Sequence, residues 1–290
     1  MRRVTLVSPG TALAVGRLTD DGRPDERFGT HGTVVTDAGA KYAAGATAVA
    51  VQRDRKILVF GWSARTAPDP QQEGKLGDLT IVRCRADGRL DPTFGTEGTS
   101  RTDLNGDFVA GALDRDGKIV VAATSFFHSS ALARYRPNGR LDPSFGSAGK
   151  ESLVTANRRW SGPVAAIAVQ RDGKIVVTGY AGGVVTSPDL AVARYLPDGR
   201  LDERFGSGGN SILDLGRDSM ARAMAVDGGG RIVVAGSIRS PCARSLHRWR
   251  PPRRQLRFGR QGDRRLRPRA RGVLPSALPS RRVPQAALAN

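Results

Sequence analysis

The chain of 290 residues is 39% hydrophobic, enough to bury a core, and its formal net charge is +19. Its two cysteines, Cys84 and Cys242, supply neither a disulfide framework nor a metal-ligand spacing, the histidines His31, His128 and His247 are scattered, and no window is long and apolar enough to cross a membrane as a helix. The charge is uneven: residues 241–290 hold 14 Arg and one acidic residue, Asp263, whereas the rest carries 32 basic and 26 acidic groups, an ordinary surface balance.

The chain opens on Met1-Arg2-Arg3 and an apolar run, Val4 to Val7, which Ser8-Pro9-Gly10 cuts short, so no signal peptide is expected. Leu13 to Arg23 aligns without gaps to Leu190 to Arg200, which reads as the last strand of a repeat whose first three strands are absent. A corner follows, Asp21-Gly22-Arg23-Pro24-Asp25-Glu26-Arg27-Phe28-Gly29. It recurs at Asp87 to Gly95, Asn138 to Gly146 and Asp198 to Gly206, and its phenylalanines, Phe28, Phe94, Phe145 and Phe205, are 66, 51 and 60 residues apart. A period of this size is the signature of a repeat architecture. Within the corner Asp caps a tight turn, Pro presets φ and Gly leaves through a left-handed conformation. The corner is expected to close one unit and open the next, its Leu and Phe plugging the gap between neighbouring sheets.

Behind the first corner a weak strand is expected at Gly32 to Thr36. Ala46 to Val51 then alternates large and small residues, as do Val164 to Val169 and Ala221 to Val226; alanines on one face let a neighbouring sheet approach closely. Gln52 to Gly61 is a turn and a strand, returning as Asp114 to Val121, Gln170 to Val177 and Asp227 to Val234. The Asp-Gly pair marks a tight turn, and the consecutive apolar positions behind it suit a strand buried on both faces. Leu79 to Arg83 is the next strand, repeated at Leu132 to Tyr135 and Leu190 to Tyr195. Cys84 stands where the others place Tyr135 and Tyr195, and so reads as a packing residue. Four short strands in a unit of about 59 residues read as β-propeller blades; solenoid coils need fewer residues each. The expected fold is all-β: a β-propeller of four-stranded blades, partial or four-bladed, with a disordered C-terminal tail.

The two motifs, Gln-x-Asp-Gly-Lys-Ile and Arg-Tyr-x-x-Asp-Gly-Arg-Leu-Asp-x-x-Phe-Gly, keep a fixed order across four copies between residues 12 and 238. This pattern resembles the delta-60 repeat family of bacterial proteins, treated as β-propellers of unknown function. Departures are Arg55 for the turn Gly of the first unit, Pro24 for Leu in the first corner and Asn138 for Asp in the third. The resemblance implies an extracellular or envelope setting and brings no catalytic residues.

The repeats are expected to fill residues 1–240, leaving an Arg- and Pro-rich tail at 241–290. Dropping the first base of each codon from Ala243 to Asp263 permits, with suitable synonymous codons, Ala-Arg-Tyr-Thr-Ala-Gly-Gly-Arg-Leu-Asp-Asp-Ser-Phe-Gly. That is the next strand and corner, in register. The ratio of 40 Arg to 6 Lys also fits a GC-rich gene, whose shifted frames yield Arg, Pro and Ala. The tail is therefore expected to be frameshifted and unstructured. The rival reading, a basic arm on nucleic-acid phosphates with Trp249 and Phe258 stacking on bases, rests on charge and is the weaker one. The last blade would then hold three strands. Pairing Leu13 to Arg17 with Arg231 to Gly236 would close a ring of four blades; otherwise the fragment is open, with exposed edges.

Successive loops of a meander alternate between two faces, so the Asp-Gly turns and the corners share one and the variable loops share the other. Binding is expected on the variable face. Its aromatic and basic residues Tyr42, Trp62, Phe126, Phe127, Arg158, Arg159, Trp160 and Tyr180 are the candidates for contact with a glycan or a protein, against the plainer reading that strand-end aromatics cap the blade interfaces. Asp91, Asp142 and Asp202 are expected to cap turns, because one Asp per corner does not assemble a calcium site. His128 beside Ser125 and Ser129 makes no triad, and Gly228-Gly229-Gly230 precedes a strand where a phosphate loop needs a helix. No catalysis, cofactor or metal is expected. The alternatives to a binding scaffold are an enzyme with its site in the channel or variable loops, and nucleic-acid binding by the tail.

Overall fold

The computed structural model describes residues 3–7, 12–38, 40, 43–64, 77–105, 108–124, 130–155, 158–159, 163–181, 189–215 and 219–238. The chain divides into two units, Met1–Ser240 with Gln285–Asn290, and Pro241–Pro284; the second, with the whole tail from residue 239, lies outside the described residues.

All the regular structure described is β. A leading sheet holds β1 (Arg3–Val7), β2 (Leu13–Leu18) and β3 (Thr33–Thr36). Three full blades follow, each a four-stranded antiparallel meander in sequence order. The first is β4 (Ala43–Val51), β5 (Ile57–Ala64), β6 (Asp78–Cys84) and β7 (Thr99–Asn105). The second is β8 (Phe108–Leu113), β9 (Ile119–Thr124), β10 (Ser130–Tyr135) and β11 (Lys150–Ser152). A two-residue ribbon, β12 (Val154–Thr155) with β13 (Arg158–Arg159), precedes the third blade of β14 (Ala166–Val169), β15 (Ile175–Ala181), β16 (Asp189–Tyr195) and β17 (Asn210–Leu213). A trailing sheet pairs β18 (Ser219–Val226) with β19 (Ile232–Ile238).

Burial explains why the second strand of each blade opens on consecutive apolar residues. In β5, Ile57 and Val59 pack towards the leading sheet with Leu13, Val15, Phe28 and Cys84. Leu58 and Phe60, on the opposite face, pack towards the second blade with Ile119, Val121 and Tyr135. The same division recurs on β9 and β15, giving one apolar cluster at every junction between successive sheets. The innermost strands β4, β8, β14 and β18 touch in series, and their small residues permit it. At Gly111 a Cβ would lie 2.6 Å from the Phe60 ring of the preceding blade, so only glycine fits. Cys84 is fully buried at the position of Tyr135 and Tyr195, and burial, with the nearby Asp87 charge, pushes its thiol up to about 11: a packing residue.

Three expectations are corrected. The strand after each corner pairs with the strand before it, as in Ile81 with Ser100 and Val192 with Ser211, so the corner lies inside a blade and does not separate two. The strand order follows from the turn: His31-Gly32, Glu97-Gly98, Ala148-Gly149 and Gly208-Gly209 all have positive φ, the two-residue geometry that sends a strand straight back along its neighbour. The trailing sheet consequently has two strands, because β17 belongs to the blade before it. Nor does Leu13 to Arg17 stand first in its sheet: β1 pairs with it residue by residue, from Arg3 with Leu18 to Val7 with Ala14. With β1 on one edge and β3 on the other, β2 has no edge left for Arg231 to Gly236, and the four-bladed closure is not formed.

Candidate functional site

The corner face is built by the residues that repeat. In each unit an Arg on the strand before the corner reaches the corner Asp: Arg17 to Asp25 at 3.0 Å, and Arg83 to Asp91, Arg134 to Asp142 and Arg194 to Asp202 at 2.9 Å. The guanidinium lies over the corner Phe, 4.4–4.9 Å from the centroids of Phe28, Phe94, Phe145 and Phe205. The Lys of the Asp-Gly turn meets the same carboxylate, Lys56 on Asp91 at 3.3 Å, Lys118 on Asp142 at 3.2 Å and Lys174 on Asp202 at 3.7 Å. The two recurring motifs thus converge on one carboxylate, which places the Asp-Gly turn and the corner on one face.

Each corner also holds the next. The Gly29 N–H donates to the Asp87 carbonyl, Gly95 to Asn138 and Gly146 to Asp198, all at 2.8 Å. The outer guanidinium nitrogens donate to the neighbouring corner as well, Arg17 to the Ala86 carbonyl, Arg83 to Pro137 at 2.6 Å and Arg134 to Pro197. A Cβ on Gly139 would sit 2.8 Å from the Phe94 ring, so the turn entering each corner must be glycine where it rests on the corner before.

Two of these carboxylates, Asp91 and Asp142, are held in the ionised form. Burial alone would raise Asp91, but hydrogen bonds from the Thr93 hydroxyl and N–H, the Arg83 charge and Lys56 outweigh it and hold the carboxyl down to about 2. Asp142 is held well below the usual carboxylate range by Ser144, Lys118 and Arg134, again against burial. The expected turn capping is present, in Thr93 N–H to Asp91 at 3.2 Å and Ser144 N–H to Asp142 at 3.2 Å. The ion pairs are what sequence reasoning missed, although the Arg and Lys stood in the quoted motifs. Carboxylates held this low and enclosed by cations are poor proton acceptors at neutral pH; their chemistry is structural. Among the described residues no group of three or more His, Cys, Asp or Glu could hold a metal ion. A shallow hollow between the first two corners is lined by Glu26, Arg27, Thr30, Asp87 and Arg89, of mixed charge.

At the opposite face the blade ends are joined by hydroxyls. Ser63 bonds Thr80 at 2.7 Å, and Thr124 bonds Ser130 at 2.9 Å. Across junctions, the Val164 N–H donates to Thr124 Oγ1 and the Leu190 N–H to Ser219 Oγ, both at 3.0 Å. Of the predicted site residues, Trp62 and Tyr180 hold equivalent positions on the second strands of the first and third blades, each half-buried, facing Leu79 and Leu190 on the neighbouring strand. Thr124 takes that place in the blade between, so the two aromatics are equivalent and separated by a whole blade. Arg158 and Arg159 form β13, paired with Thr155 and Val154. Tyr42, Phe126, Phe127 and Trp160 lie outside the described residues.

Residues 115–145 and 170–205 match the family described as "Domain of unknown function (DUF5122) beta-propeller". The matched segments contain two of the Asp-Gly turns, two of the buried strands and two of the corners, so the chain carries a β-propeller repeat. No curated protein matches the sequence. Solved structures similar to it include a protein of unknown function from Bacteroides caccae, 12% identical with a TM-score of 0.43 over 77% of this chain and 65% of that one. A gluconolactonase from Xanthomonas campestris is 14% identical with a TM-score of 0.41, over 78% of this chain and 64% of its own. A hypothetical protein from Leishmania major is 10% identical with a TM-score of 0.37, over 82% of each chain. The chain therefore spans just under two thirds of the length of the first two.

Proposed function

We propose that the chain is a non-catalytic scaffold of the delta-60 repeat type, whose corner face holds the blades together and whose variable-loop face binds a protein or a glycan. One observation carries this reading. The ionisable side chains that recur in every unit meet at the corners and are consumed there in ion pairs and inter-blade hydrogen bonds, which leaves recognition to the face where the units differ. Trp62 and Tyr180, half-buried near the ends of their strands on that face, offer flat amphipathic rings.

The test is a glycan array and a pull-down with the intact protein. Trp62→Ala, Trp160→Ala and Tyr180→Ala should each weaken the captured ligand by about tenfold or more, while the circular dichroism spectrum is kept. Capture that survives all three substitutions, or no capture by the wild type, rejects the reading.

A further inference from the structure

The repeated junction provides a template for what the last corner lacks among the described residues. In the first three corners the Gly N–H and the outer guanidinium nitrogens donate to carbonyls of the following corner. Their counterparts on the third blade, Gly206 and Arg194, have no such acceptor among the described residues. Phe205 is only partly buried, whereas Phe28, Phe94 and Phe145 are fully buried; the Arg194 side chain is 20% exposed, against 7–9% for Arg17, Arg83 and Arg134.

The neighbouring strand tells the same story. At the junction of the first and second blades the Ser100 hydroxyl donates to the Gly139 carbonyl at 2.7 Å, and Thr102 receives the Tyr135 hydroxyl at 2.7 Å. The register of β17 puts Ser211 and Leu213 at those two positions, and Leu213 is 44% exposed. Finally β5, β9 and β15 are each paired on both edges, whereas β19 is paired, among the described strands, with β18 alone.

These vacant partners coincide in kind and order with one object: the third strand, corner and fourth strand of a blade. We infer that the β19 edge, with Arg194, Phe205, Gly206, Ser211 and Leu213, is a receptor for a strand–corner–strand segment of the repeat's own chemistry, supplied by another polypeptide. The segment adds a strand to β19 through main-chain hydrogen bonds. An aromatic or apolar residue at the Tyr135 position covers Phe205 and Leu213, and the carbonyls of the turn entering its corner accept from Gly206, Arg194 and Ser211. The chain's own leading copy of this segment, β2 with β3, does not serve, because β1 already pairs with the edge of β2 that β19 would need.

A synthetic peptide spanning residues 190–213 is the probe. It should bind the full chain with one-to-one stoichiometry, measured by fluorescence anisotropy, and should slow amide hydrogen exchange across Ile232–Ile238. A peptide carrying Gly199→Val should bind about tenfold more weakly or worse, because a Cβ there would lie 3.1 Å from the neighbouring corner's ring and backbone nitrogen in the template. The substitution is made in the peptide, so the protein's folding is untouched. Absence of binding, equal binding of the two peptides, or binding without protection of Ile232–Ile238 overturns the inference. So does protection of those amides in the peptide-free protein, which would mean that the chain itself or a second copy covers the edge.

Discussion

At single positions the repeat shows both where it spends stability and where it forfeits some. The Asp-Gly turn places its second residue at positive φ, 77° at Gly117, 80° at Gly173 and 81° at Gly230; the first unit has Arg55 there, at 66°. A left-handed conformation costs a residue with a Cβ about 1–2 kcal/mol. Arg55→Gly is therefore expected to raise unfolding stability by about 1 kcal/mol in denaturant titration, the gain trimmed by the extra freedom of glycine in the unfolded chain. The corner carboxylates set the acid limit. Asp91 is depressed in the folded state, from an ordinary 3.8 to about 2, so its contribution is complete above pH 4–5 and disappears as the pH falls towards 2. A shift of this size is worth about 2 kcal/mol. Unfolding measured from pH 6 to pH 2 should lose stability along that course, and Asp91→Asn should flatten it by about that amount while being less stable than wild type at neutral pH. A variant with an unchanged acid limb would show that the Arg83–Asp91 pair does not set it.

At the scale of the strand, much could be read before any coordinates. Ile57 to Val59, Ile119 to Val121 and Ile175 to Val177 are apolar at consecutive positions, and a strand covered on both faces is the direct physical meaning of that. The alanines of β4 and β18 announced close neighbours for the same reason. The boundary between blades was misread because the corner is the loudest motif, whereas the deciding signal is the quieter pair after it, such as Glu97-Gly98, a residue and a glycine both at positive φ. Nor did sequence show that Arg83, Lys56 and Asp91 meet, because the three stand on three different elements that only the meander brings together. Of the candidate residues, the equivalent strand positions of Trp62 and Tyr180 were legible in the repeat register. Contacts were not, since the long connections between second and third strands differ from unit to unit and follow no pattern from which a backbone path can be deduced.

Across the whole row, stability should be distributed as in a one-dimensional array, each blade secured by the two beside it. The first and second blades have a neighbour on either side, while β19 has Val233 62% and Ile238 53% exposed. Native-state hydrogen exchange should accordingly be slowest in β5, β6, β9 and β10 and fastest in β18 and β19; uniform protection would mean that the blades unfold as one cooperative block. The corners carry a further consequence, for inheritance. Successive corners are 66, 51 and 60 residues apart, yet Arg17, Arg83, Arg134 and Arg194 make the same ion pair over the same ring. The chain keeps count in clasps, and connecting length is free to drift. A crossover between misaligned copies of the gene that deletes or duplicates one whole period would leave every corner with an Arg, an Asp and a Phe, so copy number can change in a single generation without a new interface having to evolve.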